Sequence, residues 1–577
     1  MGNFRNNVWI REIRTYFKTL WIIIAPMILS PLAFFGTEGK CCYCIFLMSC
    51  YWVVEVVPLA VTAFLPLVIL PFMGVLPIKK VASSYLSDTN MLFVTSLMLS
   101  VAVEECRLHK RIALKLLTYV GAKPQWLMAG FMVITSFISL WISDTACAAL
   151  MAPIAYALLE AIMMHKMKKV NIENTPSAGH QSFDEKIEME EDKLDVSRLS
   201  TRDQGICKSL MLIVSHASLI GGTGTINSTG PNLIFRDTLE KFYPGEDTQI
   251  SYLSWMLFAI PPMIGYMLAS WLIVQIQFLG LKHIMNLFSE STEEQKEDEI
   301  YAEKAVHTAY NDLGPMTFAE KSTLTIFMLT VASWITSDPK VIPGWTSFFR
   351  KGYVSDSCTG MISVFMLFVW PRERPDFAFF RPVEELGRFS GRSRPSINRE
   401  ALLTWDTVKK KFPWSVILLL GAGFSISESV KESGLSALLA CSLESILQSL
   451  PFVIMQILIA IIVVVMTEFS TNSATASIFI PISFNIAEKV RAHPLYFSIP
   501  AAIGPSFSFM LPMATPPNAI VYETKTMTML DMVSCGIFLN IICILITVLN
   551  MNTYTYWLFD MGTYPSYVHS YNNTAVC

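Results

Sequence analysis

The chain has 577 residues, of which 53% are hydrophobic and only 15% charged. A soluble globular domain averages about 25% charged, so this composition excludes an ordinary soluble fold. The net charge of −3 gives no support to a nucleic-acid or acidic partner.

The charge is clustered, and residues 20–35, 56–75, 454–466 and 535–549 carry none. A membrane span needs about 20 mostly apolar residues. The basic start (Arg5, Arg11, Arg14, Lys18) leads into a Pro-containing apolar run with no small-residue cleavage site. It reads as a retained first span with a cytoplasmic N-terminus. In chain order, spans are predicted near 19–36, 41–57, 58–77 and 88–105, then 207–235 and 252–280. Further spans are predicted near 321–337 and 355–371, and the last three near 413–430, 496–523 and 528–557. The polar segments 165–206, 281–320 and 372–411 read as solvated connectors. The first and third are cytoplasmic by their Lys and Arg content, and 281–320 is taken as a cytoplasmic loop too. Eleven spans from a cytoplasmic start leave the 558–577 tail outside, where the Asn572-Asn573-Thr574 sequon is usable. The 12 Cys show no zinc-ligand spacing. Cys41, Cys42 and Cys44 could pair if they face outside, although plain thiols in or beside a helix are commoner.

Two apolar regions, 124–165 and 451–489, are too long for single spans. Each has a polar triplet near its middle, which suits a helical hairpin that enters the membrane and returns on the same side. Non-helical backbone at that depth survives only inside protein or beside a wet cavity. The fold class read from this pattern is an all-α polytopic membrane protein, with about 11 transmembrane helices and two re-entrant hairpins.

The two hairpins resemble each other. One reads Ser143-Asp144-Thr145-Ala146-Cys147-Ala148 with Pro153-Ile154 following, the other Thr471-Asn472-Ser473-Ala474-Thr475-Ala476 with Pro481-Ile482 following. A second pair comes later, in the runs ending Thr229-Gly230-Pro231-Asn232 and Thr515-Pro516-Pro517-Asn518, both Thr-x-Pro-Asn. Asp144 and Asn232 are 88 positions apart and Asn472 and Asn518 are 46, a difference equal to the length of the 165–206 loop. With one hairpin entering from inside and the other from outside, the halves are inverted repeats, an architecture of secondary transporters with a midplane site on broken helices. Opened helix N-termini point N–H groups at an anion. Freed carbonyls and Ser, Thr and Asn oxygens suit a hard cation such as sodium. A single polar triplet more often glues packed membrane helices; four matched elements favour a ligand site.

At these residues the chain resembles the divalent anion–sodium symporter family, specifically its animal sodium-coupled di- and tricarboxylate branch. The family's hairpin tips read Ser-Asn-Thr or close variants. Other shared stretches are 52–58 (WVVEVVP), 108–113 (LHKRIA), 221–225, 229–232, 467–469 and 511–521 (LPMATPPNAIV), so the likeness runs from about 19 to 557. The resemblance implies two repeats, a scaffold that makes a homodimer in the lipid bilayer, and a transport domain that moves like an elevator. It implies uptake of succinate, malate, fumarate, citrate or related anions with sodium ions and no cofactor, across the plasma membrane. By motif it puts a first sodium site at Ser139, Ser143, Asp144 and Ser228, and a second at Thr471, Asn472, Ala514 and Thr515. Substrate carboxylates would meet Asp144, Thr145, Asn472 and Ser473, with Thr229 and Thr515 nearby.

Three positions depart from the family pattern. Thr471 replaces Ser and keeps its hydroxyl. Ser228 replaces Gly, which permits backbone angles Ser does not. Asp144 replaces Asn and, when ionised, offers a substrate carboxylate no donor. It either binds protonated and donates through its hydroxyl, or stays ionised and holds a cation. Tolerated Asp with ordinary sodium coupling, altered substrate choice and lost transport (a sensor) are the other readings, as is a sulfate transporter within the family. Glu55 and Glu468 lie in apolar stretches, where a carboxylate is a functional hypothesis by default. Glu468, one helical turn before the second triplet, is expected to orient the hairpin. Arg111 matches a position near the substrate path. A membrane enzyme is disfavoured, because none of the eight His lies near a triplet.

Overall fold

The computed structural model describes residues 18–569 apart from 55, 120–122, 174–198, 247, 281–292, 338–342, 351–352, 374–399, 436–437, 439–449 and 513. Glu55, the sequon at Asn572, the acidic run 185–195 and most of the basic 372–411 segment lie outside them. The described residues form helices joined by short connections, with only an isolated bridge between Pro371 and Ala401.

The first helices are α1 (Lys18–Phe34), α2 (Gly36–Val54), α3 (Ala60–Phe72), α4 (Ile78–Tyr85), α5 (Asp88–Glu105) and α6 (Leu108–Leu117). The first polar triplet breaks α7 (Pro124–Ser139) from α8 (Asp144–Glu173). A glycine-rich segment then breaks α9 (Thr201–Gly222) from α10 (Gly230–Phe242), and α11 (Tyr252–Phe278) closes the half. The second half has α12 (Glu293–Asn311), α13 (Phe318–Ile335), α14 (Asp356–Val369), α15 (Trp405–Lys411) and α16 (Trp414–Glu432). Its broken pairs are α17 (Phe452–Phe469) with α18 (Asn472–Lys489), and α19 (Pro494–Ile503) with α20 (Pro516–Glu523). The last long helix is α21 (Met529–Asn552).

Among the described residues, five helices are long and apolar enough to cross a membrane: Ile78–Glu105, Thr201–Gly222, Tyr252–Phe278, Phe452–Phe469 and Met529–Leu558. One of the five, α17, is a hairpin arm, and several predicted spans are split or shorter, so length and composition do not by themselves return the predicted count of eleven. The reason is local. Pro and Gly divide the apolar runs near 223–229 and 504–515, where a Pro lacks the N–H that continues a helix.

Polarity is arranged inside out. On α17 the exposed side chains include Ile454, Leu458, Ile461, Ile462, Val465 and Phe469, while Gln456, Thr467 and Glu468 are buried. The same holds on α21, where Phe538, Ile541, Leu545 and Leu549 are exposed and Asn540 and Thr547 are buried. A lipid-facing stripe with polar groups turned inward is what a bilayer solvent demands. Helix α9 is the opposite case, buried over 94% of its most apolar window, and it forms the central post. Around it Trp255, Tyr266, Phe235, Phe484, Phe497 and Phe507 fill the core that ties both halves together. Among the described residues ten cysteines, including Cys41, Cys42 and Cys44, are free thiols.

Arg111 clamps the surface helix α6 to the start of α13. Its Nε donates to Glu320 Oε1 at 2.8 Å, and Nη1 and Nη2 donate to the carbonyls of Gly314 and Leu313 at 2.7 and 3.0 Å. Glu320 also accepts the Thr317 N–H at 2.6 Å in a capping box. The guanidinium is thus engaged within the fold rather than directed at the triplets. Arg111→Ala leaves the buried Glu320 carboxylate without its cation and is expected to cost about 3–5 kcal/mol. The check is thermal melting in detergent, where Arg111→Ala/Glu320→Ala should melt above Arg111→Ala alone.

Candidate functional site

The two triplets begin helices. Ser143 precedes α8 and accepts the Ala146 N–H at 3.4 Å; Thr471 caps α18 and accepts the Ala474 N–H at 3.3 Å. Ser143, Asp144 and Thr145, and likewise Thr471, Asn472 and Ser473, are only half-buried, so both tips keep accessible surface.

The broken helices repeat each other in hydrogen bonds as well as in sequence. The fully buried Asn232 donates through Nδ2 to the carbonyls of Gly222 and Thr225, ten and seven positions upstream, at 3.2 and 2.8 Å. The fully buried Asn518 donates to the carbonyls of Ser508 and Leu511, also ten and seven positions upstream, at 2.8 and 3.0 Å. Each Asn therefore staples an unwound segment closed, satisfying carbonyls that the helix break orphans. Thr229 and Thr515 sit at the N-caps of α10 and α20 in extended conformation, with Pro in the first turn and no side-chain cap bond. Both hydroxyls are buried and, among the described residues, without a partner. A buried unsatisfied hydroxyl costs free energy unless something binds it.

Three helix N-termini, those of α8, α10 and α18, approach one another here. Helices α8 and α9 pack together within the first half and α18 and α19 within the second, while α10 packs on α18 and α20 on α8. The approach is close. A Cβ added to Gly230 would stand 2.3 Å from Ser473 Oγ, and one added to Gly222 would meet Thr229 Cγ2 at 2.5 Å and Asp144 Cβ at 3.7 Å. Any side chain at Gly222 or Gly230 would push the tips apart. Asp144, with Thr145 next to it, Thr229 and Ser473 are thereby brought around one space, and Thr515 caps α20, which packs on α8.

Oxygen clusters flank that space. In the second half Asn472 Oδ1 lies 3.0 Å from Thr467 Oγ1 and 3.2 Å from Ser508 Oγ, and Thr467 Oγ1 lies 2.9 Å from the Pro505 carbonyl. Two hydroxyl protons serve four oxygens, a surplus of acceptors that suits a hard cation. In the first half Ser139 Oγ donates to the Ser218 carbonyl at 2.5 Å, while Ser228 Oγ donates to the Gly222 carbonyl and reaches the Thr225 carbonyl at 3.0 Å. Thr225 Oγ1 donates to the Leu140 carbonyl at 2.6 Å. Ser228 has no left-handed backbone, so its departure from Gly brings no strain of that kind; its hydroxyl instead occupies carbonyls the loop would otherwise leave open. Ala514 lies in the matching loop, its N–H bonded to the Leu511 carbonyl at 3.2 Å.

Thr467 and Ser508 were not among the residues expected from the sequence. Thr467 stands five positions before Asn472, as Ser139 does before Asp144, and both hydroxyls reach a carbonyl of the neighbouring broken helix. Ser508 occupies the place of Gly222, ten positions before the stapling Asn. Extending the repeat alignment a few residues beyond the motifs finds both.

Asp144 and Asn472 differ in what they hold. Asp144 Oδ1 accepts both the Thr145 N–H, at 2.6 Å, and the Thr145 hydroxyl, at 3.2 Å. Asn472 turns its oxygen away, toward Thr467 and Ser508, which leaves its amide donors and the first-turn N–H of Ser473 for a ligand. The first tip thus spends two donors on its own carboxylate.

Glu468 does more than orient its hairpin. Its carboxylate accepts the Met510 N–H at 3.1 and 3.2 Å, the Leu511 N–H at 3.2 Å and Asn540 Nδ2 at 2.8 Å. It ties α17 to the unwound loop and to α21. The same junction in the first half is the Thr225–Leu140 bond, since Thr225 and Leu511 each lie seven positions before their stapling Asn. Away from the tips, the far end of α10 is pinned to the rest of the fold by Arg236–Asp356 at 3.1 Å and Lys241–Glu428 at 3.8 Å. Among the described residues no group of three or more His, Cys, Asp or Glu could hold a metal ion.

The family model for the sodium:sulfate symporter transmembrane region matches residues 12–561. The chain is similar, at 66% identity over 99% of its length and 98% of the relative's, to a Caenorhabditis elegans protein described as an uncharacterised transporter. It is 41% identical to a sodium-dependent high-affinity dicarboxylate transporter of the same organism, over 96% of each chain. It is 34% identical to the rat sodium/citrate cotransporter, over 96% of this chain and 98% of that one.

Proposed function

The chain belongs to the sodium:sulfate symporter family, and from that premise we propose that it moves di- and tricarboxylates such as succinate, malate, fumarate or citrate across the plasma membrane with sodium ions. It is a transporter and not an enzyme. The observation that carries the reading is the close approach of the starts of α8, α10 and α18 around one space, with the Thr229 and Thr515 hydroxyls at matched helix caps buried and unpartnered among the described residues.

In this reading a substrate carboxylate takes Asn472 Nδ2, the Ser473 N–H and the two threonine hydroxyls. Helix N-termini supply the positive end of their dipoles without a Lys or Arg. One sodium takes the Thr467, Asn472, Pro505 and Ser508 oxygens, with Thr471, Ala514 and Thr515 beside it. The other takes Ser139, Ser143, Asp144 and Ser228. Thr145, whose donors Asp144 already occupies, contributes less to the substrate than Ser473. Asp144 serves as a cation ligand: its carboxylate stands at the start of α8, accepts the Thr145 N–H and hydroxyl, and a bound sodium supplies the counter-charge its half-buried anion needs. Eleven spans and two re-entrant hairpins in inverted repeats, elevator movement, a homodimer, a cytoplasmic N-terminus and glycosylation at Asn572 complete the proposal.

The test is uptake of labelled succinate, citrate and sulfate into proteoliposomes holding the purified chain, with and without external sodium. Succinate or citrate uptake that requires sodium is expected. Sulfate uptake in preference to both would replace the carboxylate reading, and no uptake of any of the three would remove the transport reading.

A further inference from the structure

The face of α8 turned away from the core carries Ala149, Pro153 and Ala157 about one turn apart, and all three are exposed. The residues at the same distances after the second triplet are Ser477, Pro481 and Asn485. That face is covered. Ser477 and Pro481 are buried, and a Cβ added to Gly423 of α16 would stand 2.3 Å from Ser477 Oγ. The first hairpin's face opens instead on a cavity of 420 Å³, walled on its other sides by α6 and α12. Its lining is apolar except for Lys110, which is exposed and makes no ion pair among the described residues. The neighbouring Lys115 is already held between the rings of Tyr119 and Tyr310, 5.2 Å from each centroid.

We propose that this cavity is a binding site for one long-chain fatty-acid anion, with its chain against the Ala149–Pro153–Ala157 face and its carboxylate on Lys110. Walls without polar partners disfavour any hydrophilic ligand, since each buried polar group would lose its hydrogen bonds. The volume lies in the range of about 300–1,000 Å³ for single small-molecule sites. One ammonium at the rim matches one carboxylate, and the flexible lysine stem lets that pair stay at the water edge while the chain is buried. A two-chain phospholipid would exceed this cavity, whose lining among the described residues holds a single cation.

An occupant on this face also denies it the protein cover that the second hairpin's face has. In elevator movement the domain that carries the hairpins shifts against its surroundings, and an occupant wedged between α8 and helices α6 and α12 resists that shift. The fatty acid therefore holds the first hairpin in its present position and slows turnover without competing at the triplets. This regulatory half rests on the transporter reading; the binding half does not.

The experiment uses the full chain in nanodiscs of neutral phosphatidylcholine, photolabelled with a diazirine-bearing oleate and mapped by peptide mass spectrometry. Label is expected on residues 110–117 or 149–158, competed by oleate. Lys110→Glu should cut labelling at least fivefold, and Ala157→Leu or Ala149→Leu, which fill the cavity, should do the same with melting temperatures close to that of the parent chain. Equal labelling in all three variants, label confined elsewhere, or competition by phosphatidic acid but not oleate would overturn the site. In proteoliposomes oleate should lower the maximal rate of succinate uptake, leave KM unchanged and spare Ala157→Leu. Equal inhibition of Ala157→Leu would overturn the regulatory half. Absence of uptake before oleate is added would count against the transport reading alone, and labelling would still decide the site.

Discussion

Replacing Asp144 with Asn is expected to raise the sodium concentration for half-maximal uptake about tenfold or more. The ionised carboxylate adds a full charge to the first oxygen cluster, which elsewhere offers only hydroxyls and carbonyls. Two unit charges about 4 Å apart attract by about 4 kcal/mol at an effective dielectric of 20. Desolvation of both ions takes back a large part, and tenfold corresponds to about 1.4 kcal/mol. The sign with pH follows. Protonating Asp144 removes the charge, so the sodium requirement of the parent chain should climb in acid toward that of Asp144→Asn, which should itself stay nearly flat. Comparing the two chains at each pH cancels the protonation of the substrate. If uptake by the parent chain instead rises in acid and tolerates sodium loss, and Asp144→Asn abolishes the rise, Asp144 carries a proton and the cation-ligand assignment is wrong.

Glu468→Ala should be the most damaging change in the second half. It strips the acceptor from the Met510 and Leu511 amides and from Asn540 Nδ2 at a position only 2% exposed. Bonds to a charged group contribute about 1.5–3 kcal/mol each, and a buried donor left unpaired costs a similar amount. The losses are not additive, since the loop can relax, but a total of roughly 3 kcal/mol or more is expected, with little protein at the cell surface. Glu468→Gln keeps one acceptor oxygen and turns an amide NH2 toward backbone N–H donors, so an intermediate loss is expected. Melting in detergent and uptake per surface molecule separate support from coupling. A supporting role requires uptake to fall in step with melting temperature. Glu468→Gln that melts normally yet does not transport would show that the carboxylate acts in coupling.

Much of the architecture was legible because it is written as pattern. Apolar runs, the two triplets and the two Thr-x-Pro-Asn motifs are local features, and a bilayer permits few ways to bury a broken helix. The predicted breaks fall where the helices end: α7 stops at Ser139 and α8 starts at Asp144, and α17 stops at Phe469 with α18 starting at Asn472. Less legible were groups whose role depends on a distant partner. Asn232 and Asn518 belonged to motifs, yet their function as staples appears only when the loop folds back onto their amides. Arg111 carries a motif resemblance to the substrate path, and its partners Glu320, Gly314 and Leu313 lie some two hundred positions away. Thr467 stood in a shared stretch, 467–469, with no role of its own; the Pro505 carbonyl and Asn472 beside it supply one.

The sequence by itself determined that this is a membrane protein of two related halves, which residues break its helices, and that the first triplet carries Asp144 where the second carries Asn472. Those are properties of composition, spacing and residue identity. Only the tertiary structure decided that Asp144 turns its carboxylate onto the donors of Thr145 while Asn472 turns its oxygen toward Thr467 and Ser508, and that one hairpin face is covered while its counterpart opens on a cavity. The physical reason is that hydrogen-bond direction and burial are set by neighbours from the other half of the chain, which no local pattern specifies.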